Sequence, residues 1–117
     1  MQKRILIVED ELDIKALLTL IATRHGYEAV AVADGVELLT IAAKEKFDLI
    51  ITDLKMPNLD GASAAEIMKL QGSTTPIIAL TAFNRQDLEL VYDKFARVFY
   101  KPCDVTELFE YVHSLIG

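Results

Sequence analysis

Asp53 closes the apolar run Phe47-Asp48-Leu49-Ile50-Ile51-Thr52, and the chain then breaks into Leu54-Lys55-Met56-Pro57-Asn58-Leu59-Asp60-Gly61. A short buried strand that ends this way delivers its carboxylate to the C-terminal edge of a sheet, where open α/β folds bind ligands. Glu9 and Asp10 close a second such run, Ile5–Val8. Thr81 ends a third, and Lys101-Pro102 ends a fourth. Each residue has a bland explanation taken singly. Asp10 could cap a helix, Asp53 could form a turn, Thr81 could be a β-branched strand residue, and Lys101 could lay its stem on apolar surface. Their joint position at four strand ends is what points to chemistry, although gaps of 43, 28 and 20 residues separate Asp10, Asp53, Thr81 and Lys101.

The chemistry follows from charge. Three clustered carboxylates repel one another, and a divalent cation relieves that repulsion. Oxygen ligands without Cys or His point to Mg²⁺, which uses one or two carboxylates and keeps several waters. A carboxylate can also attack a phosphoryl group to give an acyl phosphate. Mg²⁺ and Lys101 would neutralise the charge on the phosphoryl oxygens, and Thr81 could donate a hydrogen bond to one of them. No Walker-type glycine loop is present, so a backbone phosphate cradle is not indicated.

Short β-rich runs alternating with helical periods must position these groups. The strand candidates are Arg4–Val8, Tyr27–Ala33, Asp48–Thr52, Ile77–Thr81 and Val98–Lys101. The first, third and fourth are almost continuously apolar, as central parallel strands covered on both faces are. Apolar spacings of three and four predict a first helix with Ile14, Leu17, Leu18 and Ile21, and a fourth with Leu88, Val91, Tyr92 and Phe95. The same spacing predicts a fifth with Val105, Leu108, Phe109, Val112 and Ile116. The second, near Val36–Lys44, and the third, near Ala62–Leu70, carry smaller Ala-rich faces suited to close packing on a sheet. Asp34 with Glu37, Asn84 with Asp87 and Asp104 with Glu107 have the spacing of helix N-caps. Five β-α units with right-handed crossovers give a doubly wound α/β fold, a five-stranded parallel sheet flanked by five helices.

Composition bounds the function. The 117 residues suit one domain, and 52% hydrophobic residues can build its core. A formal net charge of -6 argues against non-specific nucleic-acid binding by the domain itself. No apolar run approaches bilayer length, and the four-residue apolar stretch after Lys3-Arg4 is no signal peptide. The single Cys103 excludes an internal disulfide and fits a reducing, cytoplasmic setting; it reads as a packing residue rather than a catalytic thiol. His25 and His113 have no metal-ligand spacing.

The ordered set Glu9-Asp10, Asp53 with Met56-Pro57 and Asp60-Gly61, Thr81-Ala82 and Lys101-Pro102 resembles the receiver domain of two-component response regulators, the chemotaxis-regulator-like fold with strand order 2-1-3-4-5. The resemblance covers essentially the whole chain and implies one receiver domain over residues 1–117. It implies that Asp53 accepts a phosphoryl group from a histidine kinase or phosphotransfer protein. Asp10 and Asp53 would be direct Mg²⁺ ligands, Glu9 would act through water, and the Lys55 backbone carbonyl would complete the protein ligands. Thr81 would turn toward the phosphoryl group and Lys101 would pair with it. A cis peptide is implied at Lys101-Pro102. The surface of the fourth helix, fifth strand and fifth helix would switch for a downstream protein or fused output domain. A phosphorylation-dependent homodimer stays open, because mixed charge on the last two helices does not decide it.

Two positions depart from the family's commonest pattern. Glu9 stands where Asp is frequent, and Val98 stands three residues before the lysine where Tyr or Phe is usual. Period-two alternation puts Val98 and Tyr100 on one face and Phe99 on the other, so Tyr100 is either a substitute for the missing aromatic or plain packing. Lys55 and Phe83 flank the expected pocket and could admit or block attacking water. Three competing functions remain at this level. A Mg²⁺-dependent phosphohydrolase would want an acid two residues after Asp53, where Lys55 stands. A phosphorylation-independent binding module draws weight from Val98. A nucleotide- or flavin-binding domain lacks its glycine-rich loop.

Overall fold

Residues 2–56, 58–82 and 94–117 are described by the computed structural model. Their order is β1 (Arg4–Val8), α1 (Leu12–Arg24), β2 (Glu28–Val32), α2 (Gly35–Lys44), β3 (Leu49–Thr52), α3 (Gly61–Leu70), β4 (Ile77–Thr81), β5 (Arg97–Tyr100) and α4 (Val105–Ile116). The five strands form one parallel sheet in the order β2-β1-β3-β4-β5. This is the expected doubly wound arrangement. The fifth helix of the sequence analysis is α4 here. Most of the fourth, with Leu88, Val91, Tyr92 and the Asn84/Asp87 cap, lies outside the described residues, whereas Phe95 is buried.

Alternation along the central strands divides the core between the two faces. Ile5, Ile7, Leu49, Ile51, Ile78, Leu80 and Phe99 meet Leu18 and Ala22 of α1 and Leu108, Phe109 and Val112 of α4. Leu6, Val8, Ile50, Ile77 and Ala79 meet Leu38 of α2 and Ala64, Ala65 and Met68 of α3. β1, β3 and β4 are hydrophobic at nearly every position because both faces are covered. Each fully buried Leu or Ile contributes roughly 1.5–3 kcal/mol. One expected packing residue is displaced: Leu17 is 47% exposed, while Leu18 and Ala22 are buried. At about 100° per residue, Ile14, Leu18, Ile21 and Ala22 share a stripe, and Leu17 falls to one side of it.

The two expected caps that lie among the described residues, Asp34 and Asp104, accept N–H groups of the first turn as their spacing implied. Asp34 Oδ1 accepts the Glu37 N–H at 2.8 Å, and Glu37 Oε2 accepts the Ala33 N–H at 2.6 Å. Asp104 Oδ1 accepts from Thr106 at 2.8 Å, while Glu107 turns away to pair with Arg97 at 2.8 Å. Asp60 is a cap that spacing alone did not single out; it accepts the Ser63 N–H at 2.7 Å and starts α3. Asp10 is not a cap, since the N-cap of α1 is Glu11, without a side-chain bond.

Candidate functional site

Strand register brings the chemistry-bearing ends together. Val8 pairs with Val32 and Thr52, Thr52 with Ala79, and Thr81 with Tyr100. Three further backbone hydrogen bonds carry this ladder past the strand ends. Glu9 N–H donates to Val32 at 3.0 Å, Asp53 N–H to Val8 at 2.9 Å, and Lys101 N–H to Thr81 at 2.7 Å. The backbones of Glu9, Asp53 and Lys101 are thereby fixed before any side-chain contact forms.

Glu9, Asp10 and Asp53 each offer a carboxylate oxygen within 4.8 Å of the others. Glu9 and Asp53 are buried, while Asp10 is exposed. Lys101 reaches into this group. Its Nζ lies 2.6 Å from Glu9 Oε1 and 2.9 Å from Asp53 Oδ2, with Glu11 Oε1 on the rim at 3.9 Å. The Lys55 N–H donates to the other Asp53 oxygen at 3.2 Å. Asp10, Glu11, Asp53, Lys55, Met56, Ala82 and Lys101 line an open cleft of about 410 Å³.

Thr81 is fully buried at the end of β4. Val98 and Tyr100 both pack on the second core cluster and Phe99 on the first, as period two requires. Register sets Tyr100 opposite Thr81 and Val98 opposite Ala79. The Lys101-Pro102 peptide is cis. Phe83 lies outside the described residues.

The loop after Asp53 is pinned from two sides. Asn58 takes φ 68, a left-handed conformation that Asn tolerates, and its Nδ2 donates to Asp34 Oδ2 at 2.7 Å. Gly35 N–H donates to Leu59 O at 3.1 Å, and a Cβ at Gly35 would collide with that carbonyl. Gly61 N–H donates to Leu54 O at 3.0 Å, and a Cβ there would collide with the Asp53 carbonyl. Sequence reasoning took Gly61 for a turn marker; its structural demand is close approach to the strand end that carries Asp53.

Burial raises the Glu9 pKa, against the hydrogen bond from Lys101. Burial lowers that of Lys101, but hydrogen bonds and charge from Glu9 and Asp53 outweigh it, and the ammonium titrates above its ordinary value. With all three carboxylates ionised, one ammonium leaves two negative charges in the cluster. An all-oxygen donor set with that excess fits a hard divalent cation such as Mg²⁺. The Glu9–Lys101 pair escaped sequence reasoning, which had assigned the two to different ligands. β1 and β5 are not neighbours, and only a long side chain spans the gap.

Cys103 stands apart from this chemistry. Burial, then the charges of Asp104 and Glu107, push its thiol pKa up. Less thiolate is present at neutral pH, so its alkylation by iodoacetamide is expected to run several-fold slower than that of free cysteine. An equal or faster rate would contradict the packing role.

Comparisons with known proteins bear on what this arrangement is. The family model for the response regulator receiver domain matches residues 5–113. The sporulation initiation phosphotransferase F of Bacillus subtilis is 32% identical over 92% of this chain and 89% of its own length. The alkaline phosphatase synthesis transcriptional regulatory protein PhoP of the same organism is 36% identical over 90% of this chain, but the match spans 46% of that longer protein. The response regulator protein TrrA of Thermotoga maritima, solved in complex with Mg²⁺-BeF, superposes with a TM-score of 0.90 at 32% identity, covering 97% of this chain and 99% of that one. Among the described residues no helix is long and apolar enough to cross a membrane. The sheet order, the convergent strand ends and the family match agree: this chain belongs to the response regulator receiver domain family.

Proposed function

We propose that residues 1–117 are one receiver domain whose Asp53 accepts a phosphoryl group from a histidine kinase or histidine phosphotransfer protein. The observation that carries this reading is the junction at Asp53. One carboxylate, at the floor of an open cleft, is shared between an ammonium and two further carboxylates. In the transfer, an Asp53 oxygen forms a bond to phosphorus as the donor's P–N bond breaks, and the departing imidazole nitrogen keeps the electron pair. Asp10 and Asp53 would hold Mg²⁺ directly, with Glu9 through water and Lys55 through its backbone carbonyl. The bound ion supplies charge neutralisation to the phosphoryl oxygens.

Lys101 keeps its ammonium within reach of Asp53 and pairs with a transferred phosphoryl oxygen. Thr81 donates its hydroxyl to another. That movement, with Val98, Tyr100 and Pro102 of the adjoining segment, shifts the surface of β5, α4 and the helix predicted before β5 toward a downstream protein or output domain. The reading makes the domain a participant in its own phosphorylation and dephosphorylation, without an outside substrate. It places the domain in the cytoplasm, not at DNA or a membrane. The test is incubation with acetyl phosphate: one phosphoryl mass is expected with Mg²⁺ and none after chelation by EDTA. Equal labelling with and without the metal would count against it.

A protein donor needs a place to dock beside the cleft. α1 carries a second, mostly apolar groove, lined by Leu12, Ala16 and Leu20 with Lys15, Thr19 and Thr23, and continued by Ala31 of β2. Leu12 is 73% exposed and follows Asp10 and Glu11, which line the cleft. Replacing Leu12 and Leu20 with Ser should slow transfer from a protein donor by about tenfold, a usual scale for losing interface anchors. Labelling by acetyl phosphate should be unchanged. Parallel loss from both donors would mean that the stripe is structural.

Val98 supports a second reading, a binding module that works without phosphorylation. A small aliphatic side chain stands two positions short of the Thr81 level, where the family usually carries an aromatic. Partner binding that survives both Asp53→Ala and metal removal would favour it.

A further inference from the structure

Glu9 is held more tightly than a ligand waiting for a cation requires. Its carboxylate is buried, and both oxygens already have partners. Oε1 takes Lys101 Nζ at 2.6 Å, and Oε2 accepts the Glu11 N–H at 3.0 Å. The backbone bond from Glu9 N–H to Val32 fixes the start of the side chain. Lys101 is gripped at both ends of its reach, with Glu9 the nearer partner and Asp53 at 2.9 Å. An aspartate at position 9 would carry the same charge but withdraw its oxygens by about 1.5 Å, one bond length. That is enough to turn a 2.6 Å contact into no hydrogen bond.

We infer that Glu9 is a positioning residue that anchors the Lys101 ammonium over the acidic cluster, so that this lysine competes with a divalent cation for the Glu9 and Asp53 oxygens. The length of the side chain at position 9 then sets the cation affinity of the domain. The inference rests on the site proposed above and deepens it. A cation entering between Asp10 and Asp53 meets a positive charge bonded to one of its own ligands, and like charges at this range in a partly dry cleft repel strongly. Binding must therefore draw Lys101 off Asp53, while Glu9 opposes its release. The same anchor keeps the displaced ammonium in the cleft, on Glu9, for a later phosphoryl oxygen.

The test is Mg²⁺ titration by calorimetry on the 117-residue chain, without a phosphodonor, for wild type, Lys101→Met, Glu9→Gln and the double variant. Lys101→Met should tighten Mg²⁺ binding about tenfold or more, a modest fraction of the repulsion removed. Glu9→Gln should weaken binding clearly in the Lys101→Met background and much less in wild type, where freeing the lysine offsets the lost carboxylate. Glu9→Asp, which conserves charge and does not rely on Lys101→Met folding, should tighten binding several-fold. In parallel, the ¹H–¹⁵N signal of the Lys101 ammonium should be protected in wild type, lost in Glu9→Asp, weakened in Glu9→Gln, whose amide oxygen still accepts, and shifted but retained on adding Mg²⁺, because Glu9 holds the ammonium after it leaves Asp53. Independent effects of Glu9→Gln and Lys101→Met, or a Lys101 signal unchanged by Glu9→Gln, would overturn the anchor alone. Absence of Mg²⁺ binding in every variant would overturn the site and the anchor together.

Discussion

Asp53→Asn is expected to take up no phosphoryl group, from acetyl phosphate or from a protein donor, while remaining folded. The amide keeps the shape of the carboxylate, and its carbonyl can still accept the Lys55 N–H that now bonds Asp53 Oδ1. It cannot act as the nucleophile. Breaking a buried ion pair by removing one partner ordinarily costs several kcal/mol, because the other charge is stranded. Here Lys101 retains Glu9 at 2.6 Å, and removing one carboxylate eases repulsion within the cluster. Stability should move by about 1 kcal/mol or less. A phosphate-affinity gel beside a thermal melt checks both halves. Labelling of Asp53→Asn at the wild-type level would mean that another residue accepts the phosphoryl group.

The second large effect is on the scaffold. Gly61→Ala puts a Cβ against the carbonyl oxygen of Asp53, 3.1 Å from Thr52 Oγ1 and 3.2 Å from the Asp53 carbonyl carbon. Those atoms are buried strand-end backbone and a side chain committed to a 2.8 Å hydrogen bond with the same carbonyl, so neither can yield cheaply. The substitution should cost about 3 kcal/mol, at the upper end for overpacking, and lower the melting temperature by roughly 10 °C for a domain of this size. Phosphorylation should fall with it, because the displaced segment carries Asp53. Gly72→Ala is the control. Nothing lies near its Cβ, but φ is +86, so a cost of about 1 kcal/mol with unchanged phosphorylation is expected. Equal melting of Gly61→Ala and wild type would remove the close-approach argument.

The difference between these two glycines illustrates what the sequence makes legible. The order of strands and helices follows from apolar periodicity and from caps such as Asp34 with Glu37, since those signals are local and the parallel connections are stereotyped. The meeting of Glu9, Asp10, Asp53 and Lys101 was legible for a related reason: each closes a strand-like run, and parallel strands end at one edge. Leu17 was misplaced because a spacing of three or four fits two adjacent stripes of one helix, and only packing chooses between them. Asn58 and Gly61 act across loops, and the Glu9–Lys101 bond spans 92 positions between strands that do not touch. Contacts of that kind depend on side-chain length and direction in the assembled fold, which no local pattern encodes.

The central claim is that one carboxylate captures phosphorus. It can be tested by labelling the chain with acetyl phosphate and Mg²⁺, reducing the acyl phosphate with borohydride, and mapping the product by peptide mass spectrometry. The account predicts conversion of the side chain at position 53 to homoserine, and at no other carboxylate. Conversion at Asp10 or Glu9, or an unconverted position 53 in a chain that carries phosphate, would contradict it.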